Sequence, residues 1–389
     1  MKVAAVTTWP PHNDGVALYS AELYAHVTEL VDVRVIANVA EQTGFCGDYC
    51  DVEKIVARCW KRGSFTYPLR IFREVLKERP DIVHLQHGWL LYGNVVASSF
   101  ILILLFLLRL RRVPCVVTMH TVIRKGAYLR RSSVVNLLAR RVISFTSRFI
   151  VRFADRVVVL NCLMKKALQE DYGLREENKI VVIQHGVRDF SGKSIIRGKG
   201  RRLWVLSLGF IRESKGIETL FKAFEEFVGR CPDANLVVVG GRHVHDKGDQ
   251  VAYFKRLVSP ALLRHVFFTD FVDEEKLDRL IAKSDIVVLL SLDRFYVEVS
   301  GALARVAGYG KPVVCSRVPK FESELQNGKD CVMVAPGDSE ELARAFMSLA
   351  LDVRLRKRLG GELREKFRGR CWSAVAKQHF DLYREVLET

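Results

Sequence analysis

The chain has 389 residues, too many for one ordinary hydrophobic core, so two domains of about 150–200 residues are expected. Its 49% hydrophobic and 27% charged residues exclude a disordered protein. Nine cysteines without a paired framework favour free thiols in a reducing compartment. The N-terminal apolar run is too short for a signal peptide, so we expect a cytoplasmic protein.

The formal net charge of +17 is concentrated in one stretch. Residues 109–156 hold twelve Lys or Arg against one acidic residue, Asp155, a balance of +11. Such a stretch favours an anionic partner, either an acidic membrane surface or nucleic acid. A solvated basic surface without a specific partner is the alternative. Because no nucleic-acid-reading module is recognisable, we expect no nucleic-acid partner.

Strand and helix patterns alternate through the first half of the chain. After the first strand, apolar residues recur at helical spacing from Val16 to Leu30. Residues 38–68 have a weaker pattern, for which we expect irregular loops and short strands. The predicted strands are residues 2–7, 31–36, 81–85, 114–119, 156–160 and 179–184.

Residues 88–108 carry no charge, and their number is close to the ~20 that span a bilayer. A spanning helix would separate the strands on either side of it, which then could not join one sheet. We therefore predict a largely buried crossover helix. Partial insertion at a membrane surface, with Arg109, Arg111 and Arg112 at the headgroups, is the alternative.

The second half repeats the alternation after a stretch typical of a linker, residues 191–202, which is rich in Gly, Ser, Lys and Arg. Predicted strands are residues 203–208, 235–239, 266–269, 285–290, 312–315 and 331–334, and predicted helices are residues 216–227, 274–282 and about 300–307. This pattern predicts an α/β protein with two Rossmann-like domains, residues 1–190 and 203–370, facing a central cleft where the strands end. Residues 371–389 form a last helix.

The segment after the first strand of the second half has the chemistry of a diphosphate site. Gly209 ends the strand, the following loop holds Arg212 and Lys215, and a helix begins near Gly216. Two cations beside the positive end of a helix can bind a diphosphate. Ordinary solvated loop charges are the alternative.

A second segment of this kind lies before the strand at residues 312–315. Ser300 and Gly301 open a helix whose free N–H groups can bind phosphate oxygens. Glu298, just before them, can accept hydrogen bonds from sugar or ribose hydroxyls. Alternatively, Ser300 only caps the helix.

Together these segments resemble the retaining family 4 glycosyltransferases of GT-B fold. The family has a Gly, an Arg and a Lys-Gly before the first long helix of its second domain, and later a Gly-x-Pro-Val-Val strand, here residues 310–314. Residues 182–187 look like the strand that closes its first domain, and residues 371–389 like its last helix, which crosses back to that domain. The resemblance implies transfer of a sugar from a nucleotide-diphosphate donor, bound by the second domain, to an acceptor hydroxyl with retention of configuration.

The sequence departs from the family at the donor loop. The two motif glutamates of the family fall here on Val297 and Arg305, and the Arg often found directly after the Gly is Phe210. Some members carry a Ser-Gly form of the loop, which Ser300 and Gly301 resemble. A catalytically impaired homologue that only binds a sugar nucleotide is therefore the alternative.

In the first half, residues 10–16 look like the family's Gly-rich first loop, with Gly15 as its one glycine. A plain turn before the first helix is the alternative. His120 follows a strand where the family has a functional histidine, and the resemblance implies that it binds a hydroxyl of the transferred sugar. His84 and His87 are weaker candidates. The predicted catalytic residues are His120, Arg212, Lys215 and Glu298, and the predicted donor-binding residues are Gly15, Gly209, Gly216, Phe271, Val272, Ser300 and Gly301.

No metal or other cofactor is expected. His243, His245 and Asp246 have metal-binding side chains but lie in a loop without a further cluster of ligands. The cations and helix ends can neutralise a leaving diphosphate instead. The expected partners are a nucleotide-diphosphate sugar, a glycan or lipid-linked acceptor, and an anionic membrane, with the protein on its cytoplasmic face.

Overall fold

The computed structural model describes residues 1–39, 55–127, 133–175, 178–188, 202–241 and 249–389. They form two compact units. The first unit contains Met1–Gly186, Phe295–Val299 and Arg370–Thr389, and the second contains Val187–Arg294 and Ser300–Gly369. The predicted linker lies outside the described residues except for Arg202.

The strands, in chain order, are β1 (Lys2–Thr7), β2 (Asp32–Asn38), β3 (Val56–Trp60), β4 (Ile82–His87), β5 (Cys115–Met119), β6 (Thr121–Ile123), β7 (Arg156–Val159), β8 (Ile180–Val182), β9 (Trp204–Leu208), β10 (Asn235–Val239), β11 (Val266–Asp270), β12 (Ile286–Leu289), β13 (Tyr296–Glu298), β14 (Val313–Ser316) and β15 (Val332–Val334).

The helices are α1 (Gly15–Val27), α2 (Tyr67–Glu78), α3 (Val95–Ser99), α4 (Ile101–Leu110), α5 (Ser133–Phe153), α6 (Cys162–Tyr172), α7 (Ile217–Arg230), α8 (Gln250–Arg256), α9 (Glu274–Lys283), α10 (Gly301–Val306), α11 (Pro319–Glu322), α12 (Ser339–Leu351), α13 (Val353–Lys366) and α14 (Trp372–Glu388). Short 3₁₀ turns occur at Glu213–Lys215, Pro260–Leu262 and Ala307–Tyr309.

Each unit is built on a parallel sheet, which confirms the predicted α/β class with two such domains. The first sheet has the order β3-β2-β1-β4-β5-β7-β8, and the second has the order β11-β10-β9-β12-β14-β15. In the first, Val3 of β1 pairs with both Val33 and Ile82. The central strands are buried on both faces, which is why they read as continuous apolar runs.

The carboxyl ends of parallel strands share one edge of a sheet, where open α/β sheets bind ligands. In the second unit, Gly209, Gly240, Phe271 and Ser291 follow or lie just beyond β9, β10, β11 and β12. Two of the predicted donor-binding residues, Gly209 and Phe271, are therefore placed along this edge by the topology.

The described part of residues 38–68 contains one short strand, β3, as expected for a stretch of irregular loops and short strands. β3 pairs with β2 through a register shift, and α2 begins at Tyr67. Residues 40–54 lie outside the described chain. The strand is hard to recognise because four of its five residues are only half-buried, so its side chains show neither an apolar run nor a clean alternation.

The crossover between β4 and β5 is helical, as predicted for residues 88–108, but it is not one largely buried helix. Two helices, α3 and α4, follow one another there. Ile101, Leu104, Leu105 and Leu108 are buried, but the opposite face of α4 is exposed. Among the described residues, none of the helices combines the length and the apolar character that spanning a bilayer requires.

Residues 295–299 belong to the first unit, although the sequence placed them in the second domain. The reason is a two-stranded antiparallel sheet in which Val297 of β13 pairs with Val122 of β6, and Glu298 with Thr121. Val187 and Arg188, in turn, are grouped with the second unit. Three-residue strands that pair over this separation leave no periodic signal in the sequence.

The last helix, α14, packs on the first unit. The Tyr383 hydroxyl lies 2.6 Å from His84 Nδ1 of β4, and both side chains are buried. Trp372 lies so close to Gly186 that a Cβ at that glycine would overlap the indole ring. The C-terminal helix of the chain therefore completes the core of the N-terminal unit.

Candidate functional site

In the second unit, the loops after β9 and β10 pack backbone against backbone. The Gly209 N–H donates to Val239 O (3.0 Å), and the Ile211 N–H donates to Gly241 O (3.0 Å). Gly240 has a φ of +134°, and a Cβ there would overlap the carbonyl oxygen of Gly209. Glycine at this position is thus required both by the backbone conformation and by the approach of the neighbouring loop.

Arg212 and Lys215 lie on either side of one tight turn. The Lys215 N–H donates to Arg212 O (3.0 Å), and the Gly216 N–H donates to Glu213 O (2.9 Å). Gly216, with a φ of +62°, directly precedes α7. The Leu292 N–H, beyond β12, donates to Ser214 O (2.8 Å) and holds this turn against the neighbouring loop. Both predicted cations are half-buried beside the carboxyl edge of the sheet.

Phe271 and Val272 follow β11 and form an apolar side of this edge. The Phe271 ring is 38% exposed and meets the Phe210 ring edge-to-face at 6.1 Å. A Cβ on Gly241 would lie 2.6 Å from Phe271 Cε2, so the ring packs directly on that backbone. Val272 is half-buried against the apolar core. The structure therefore brings Gly209, Arg212, Lys215, Gly216 and these two residues to one edge.

Ser300 caps α10 by accepting a hydrogen bond from the Leu303 N–H (3.2 Å). Gly301 is exposed, and a Cβ there would meet no atom within 4 Å. The capping role predicted as the alternative is therefore present. A contact of either residue with a donor stays a prediction.

Arg305, at the place of the second motif glutamate, belongs to a charged cluster. It pairs with Glu274 and lies 3.8 Å from Asp278 Oδ1, and Arg188 pairs with the same two carboxylates. The Tyr309 hydroxyl donates to Asp278 Oδ1 (2.5 Å). At the position of the second motif glutamate this chain thus has a cation, and its guanidinium pairs with carboxylates of α9.

In the first unit, the loop before α1 is organised by Asp14. Its Oδ1 accepts hydrogen bonds from the N–H groups of Val16 (2.9 Å) and Ala17 (2.7 Å), and His12 Nε2 lies 3.2 Å from its Oδ2. Burial raises the pKa of Asp14, but the hydrogen bond and charge of His12, together with the Ala17 N–H and the charge of Arg62, outweigh it and leave the pKa lowered. Gly15 is exposed, with open space around it. The loop is a helix-capping turn.

His120 follows β5 and is held by the preceding strand. Its Nε2–H donates to Gln86 Oε1 (2.7 Å), and its backbone N–H donates to His87 O (2.8 Å). Burial, with His185 nearby, lowers the pKa of His120 to about 3. The imidazole is therefore neutral at pH 7, with Nδ1 as a hydrogen-bond acceptor.

A buried polar network that the sequence did not indicate lies behind His120. Gln86 Nε2 donates to Tyr24 Oη (2.9 Å), and the hydroxyls of Tyr24 and Tyr383 lie 2.9 and 2.6 Å from His84 Nδ1. Burial, with His379 and His120 nearby, lowers the pKa of His84 well below its ordinary value. Since α1, β4 and α14 supply these residues, only the folded chain brings them together.

Tyr19 of α1 lies among three rings and was also missed from the sequence. Its ring centroid is 4.8 Å from that of His120, 5.1 Å from that of His185 and 5.2 Å from that of Trp372. Among the described atoms, its buried hydroxyl has no hydrogen-bond partner. Burial raises the pKa of Tyr19, so the hydroxyl stays neutral and can donate.

Glu298 lies with His120 in the first unit and not with Arg212 and Lys215. The Thr121 hydroxyl, one residue after His120, donates to Glu298 Oε2 (3.4 Å). Across the described ranges, no group of three or more His, Cys, Asp or Glu could hold a metal ion. His243, His245 and Asp246 lie outside these ranges.

Two family models match the chain. The model "Glycosyl transferase 4-like domain" matches residues 14–186, and "Glycosyl transferases group 1" matches residues 193–366. Among curated relatives, the sulfoquinovosyl transferase of Arabidopsis thaliana is 24% identical over 79% of this chain and 57% of its own length. The phosphatidyl-myo-inositol mannosyltransferase of Mycobacterium leprae is 29% identical over 47% of this chain and 46% of its own.

An uncharacterised glycosyltransferase of Methanocaldococcus jannaschii is 22% identical over 62% of this chain and 61% of its own length. The chain thus spans less than two thirds of each of these relatives. Among solved structures, sucrose-phosphate synthase from Thermosynechococcus elongatus has a TM-score of 0.75 at 18% identity, covering 100% of this chain and 99% of its own. Anabaena HepE in complex with UDP and glucose has 0.72 at 17%, covering 99% of each chain. The chain belongs to the family 4-like glycosyltransferases and has the GT-B fold.

Proposed function

We propose that the protein transfers a sugar from a nucleotide-diphosphate donor to an acceptor hydroxyl with retention of anomeric configuration. The observation that carries this is the turn that holds Arg212 and Lys215 beside the start of α7, at the carboxyl edge of the second sheet. Anabaena HepE, a structural neighbour, has been solved with UDP-glucose, which supports a sugar nucleotide as the donor class.

In this proposal the diphosphate leaves from the second unit. The bond between the anomeric carbon and the diphosphate oxygen breaks, and its electron pair goes to the diphosphate. The acceptor oxygen forms the new bond to the anomeric carbon, and its proton goes to an oxygen of the departing diphosphate. Arg212, Lys215 and the N–H groups near Ser300 and Gly301 stabilise the leaving charge, and one such donor is typically worth a hundredfold or more in rate. The scheme needs no metal ion.

In the first unit we propose recognition of sugar hydroxyls. Neutral His120 accepts a hydrogen bond through Nδ1 because Gln86 holds its Nε2–H. Glu298 accepts through its carboxylate, which the Thr121 hydroxyl orients. Tyr19 adds a buried hydroxyl that can donate.

For the acceptor we propose a lipid-linked or membrane-proximal glycan at an anionic, cytoplasmic membrane face. The excess of eleven positive charges over residues 109–156 supports it. The names of two relatives point the same way, since one is a phosphatidyl-myo-inositol mannosyltransferase and the other a sulfoquinovosyl transferase.

The direct test is a panel of nucleoside diphosphates assayed for thermal stabilisation of the protein. A ligand at 100 times its Kd stabilises the folded state by about 2.7 kcal/mol. We expect one nucleotide to stabilise the wild type strongly, Lys215→Ala weakly, and Lys222→Ala, an exposed lysine on α7, like the wild type. Stabilisation by no member of the panel contradicts the proposed donor site.

A binding protein without transferase activity is the second candidate, favoured by the engagement of Arg305 with Glu274 at a motif position. Once a nucleotide has been identified, hydrolysis of the corresponding sugar nucleotides separates the two. Release of free sugar above the background rate supports the enzyme. Tight donor binding without hydrolysis, in the presence or absence of lipid extracts, supports the binding protein.

A further inference from the structure

The outer face of α5 carries apolar and basic side chains together. Leu138 is 57% exposed and Phe145 is 56% exposed, and Arg141, Arg148 and Arg152 recur on the same face at helical spacing. Val134 and Leu137 extend the apolar part toward the start of the helix. Exposed large apolar residues at this density on one helix face indicate an interaction surface.

The neighbouring helices α3 and α4 present a second apolar stripe. Val96, Ile103, Phe106 and Leu110 are exposed at helical spacing, and the Phe106 ring lies 6.3 Å from Phe153 of α5. Phe65 extends the stripe, with its ring 4.9 Å from that of Phe100. We call the two stripes together the α4–α5 face.

A groove of 630 Å³ lies between the two stripes. Its lining is almost wholly apolar and includes Phe100, Ile103, Val142 and Phe145, with Arg141 at its side. Its volume falls in the range of about 300–1,000 Å³ in which proteins bind small ligands. The groove therefore has the size and the surface to hold a hydrocarbon chain.

The charged side chains of the three helices α3, α4 and α5 are all basic. No acidic residue occurs in α3, α4 or α5, and Arg109, Arg111 and Arg112 lie at the end of α4. On the other flank of α5, Arg124, Lys125, Arg140 and Arg141 line a second cavity of 240 Å³. Of these, Arg124 pairs with Asp171 (2.6 Å), and Arg140 donates to Ala127 O. An apolar groove and a cavity lined by basic side chains thus adjoin across one helix.

We propose that the α4–α5 face docks on the surface of an anionic phospholipid bilayer, with one acyl chain in the groove and the arginines at the headgroups. The inference rests on the proposed function, in which the acceptor lies at a membrane, and it names the surface of the protein that contacts that membrane. Charge complementarity selects this occupant, because the arginines match anionic headgroups while the apolar stripes match the acyl boundary. A second copy fits worse, since a symmetric contact would set these arginines against themselves.

The test is flotation of the purified protein with vesicles of phosphatidylglycerol and phosphatidylcholine, or of phosphatidylcholine alone. We expect binding to the anionic vesicles that weakens with salt, because salt screens the arginines. Arg141→Gln with Arg152→Gln should lower the partition coefficient about fivefold for each charge removed. Phe106→Asp with Phe145→Asp should lower it more than tenfold even at low salt. Leu263→Asp with Leu351→Asp, exposed apolar positions of the second unit, is the matched control and should bind like the wild type.

A separate variant, Phe145→Trp, reports whether an acyl chain occupies the groove. Its added fluorescence should shift to the blue on anionic vesicles and be quenched by lipids brominated along the acyl chain. An unshifted, unquenched emission overturns the proposal. So does a different result, in which the wild type binds no vesicles but forms a dimer, and the double variant Phe106→Asp with Phe145→Asp is a monomer.

Failure here is distinguishable from failure of the proposed function. Nucleotide stabilisation measured on the same samples reports on the donor site, and Lys215→Ala should bind vesicles like the wild type. If a nucleotide stabilises a protein that binds no vesicle, the inference fails while the donor site stands.

Discussion

The two units place their candidate chemistry in different ways. In the second unit, Arg212, Lys215 and Gly216 lie within one short turn. In the first, His120 depends on Gln86 of β4, which in turn depends on Tyr24 of α1. The first arrangement is local in the sequence, whereas the second is assembled by the fold.

The electrostatics differ as well. The second unit presents cationic side chains at the end of its sheet. The first holds His84, His87, His120, His185 and His379 neutral, because burial lowers the pKa of each. Charge suits a leaving diphosphate, and neutral hydrogen-bonding groups suit sugar hydroxyls. The comparison predicts that pH and mutation affect the two units unequally.

The largest expected effect is acid instability of the first unit. Burial lowers the pKa of His87 and of His379 from 6.5 to about 4. Between these values the unfolded chain binds protons that the folded unit does not, so the free energy of unfolding falls as the pH falls from 6.5 to 4. Each histidine accounts for on the order of 3 kcal/mol. Hydrogen exchange at pH 7 and pH 4.5 should show loss of protection in β4 and α14 that exceeds the loss in α7 and β10.

Two single substitutions test whether buried histidines cause this acid instability. His379→Leu removes one titrating group and should move acid unfolding to lower pH, whereas His26→Leu, at a half-buried position of α1, should not. Equal loss of protection in both units would show that the histidines do not set the acid limit.

The next effect tests the second unit. Lys215→Ala should lower the transfer rate by on the order of a hundredfold or more, because a fixed cation near the leaving diphosphate is lost. Lys222→Ala, which removes an exposed lysine of the following helix α7, is the control. Thermal midpoints without ligand should agree among the three proteins. Full activity of Lys215→Ala would remove this lysine from catalysis.

A smaller effect tests the neutral network of the first unit. In Gln86→Glu, a carboxylate faces His120 Nε2, and an anion beside an imidazole raises its pKa. Protonated His120 has no acceptor at Nδ1, so we expect about a tenfold loss of kcat/KM at pH 6 that diminishes toward pH 8. The wild type should show no such dependence on His120 in this range. A loss that is the same at every pH would mean that Gln86 acts only in packing.

The contrast between the units explains what the sequence could predict. Gly209, Arg212 and Lys215 stand in one short loop between a strand and a helix, and local chemistry was enough to group them. β1 has the predicted bounds, residues 2–7, and its inner residues, Val3 to Val6, are apolar because a parallel strand inside a sheet is buried on both faces. Signals of this kind depend on neighbours in the chain.

The residues that could not be predicted depend on distant contacts. Tyr24, Gln86 and Tyr383 look like ordinary core residues until α1, β4 and α14 pack together. Glu298 was assigned to the wrong unit because β13 pairs with β6, far away in the sequence. The exposed face of α4 was missed because a helix that is apolar all round gives no periodicity from which to choose its buried side.

The smallest effect separates two roles of Ser300, the cap of α10. Asp is as good an N-cap as Ser, so Ser300→Asp should keep the stability of the fold, while Ser300→Ala should cost about 1 kcal/mol. If the diphosphate lies at this helix end, the added carboxylate repels it, and we expect the donor Kd to rise about tenfold in Ser300→Asp and little in Ser300→Ala. Chemical denaturation and nucleotide titration of the same preparations measure both quantities. An unchanged donor Kd in Ser300→Asp would leave Ser300 with its capping role alone and would place diphosphate binding on the Arg212 and Lys215 turn.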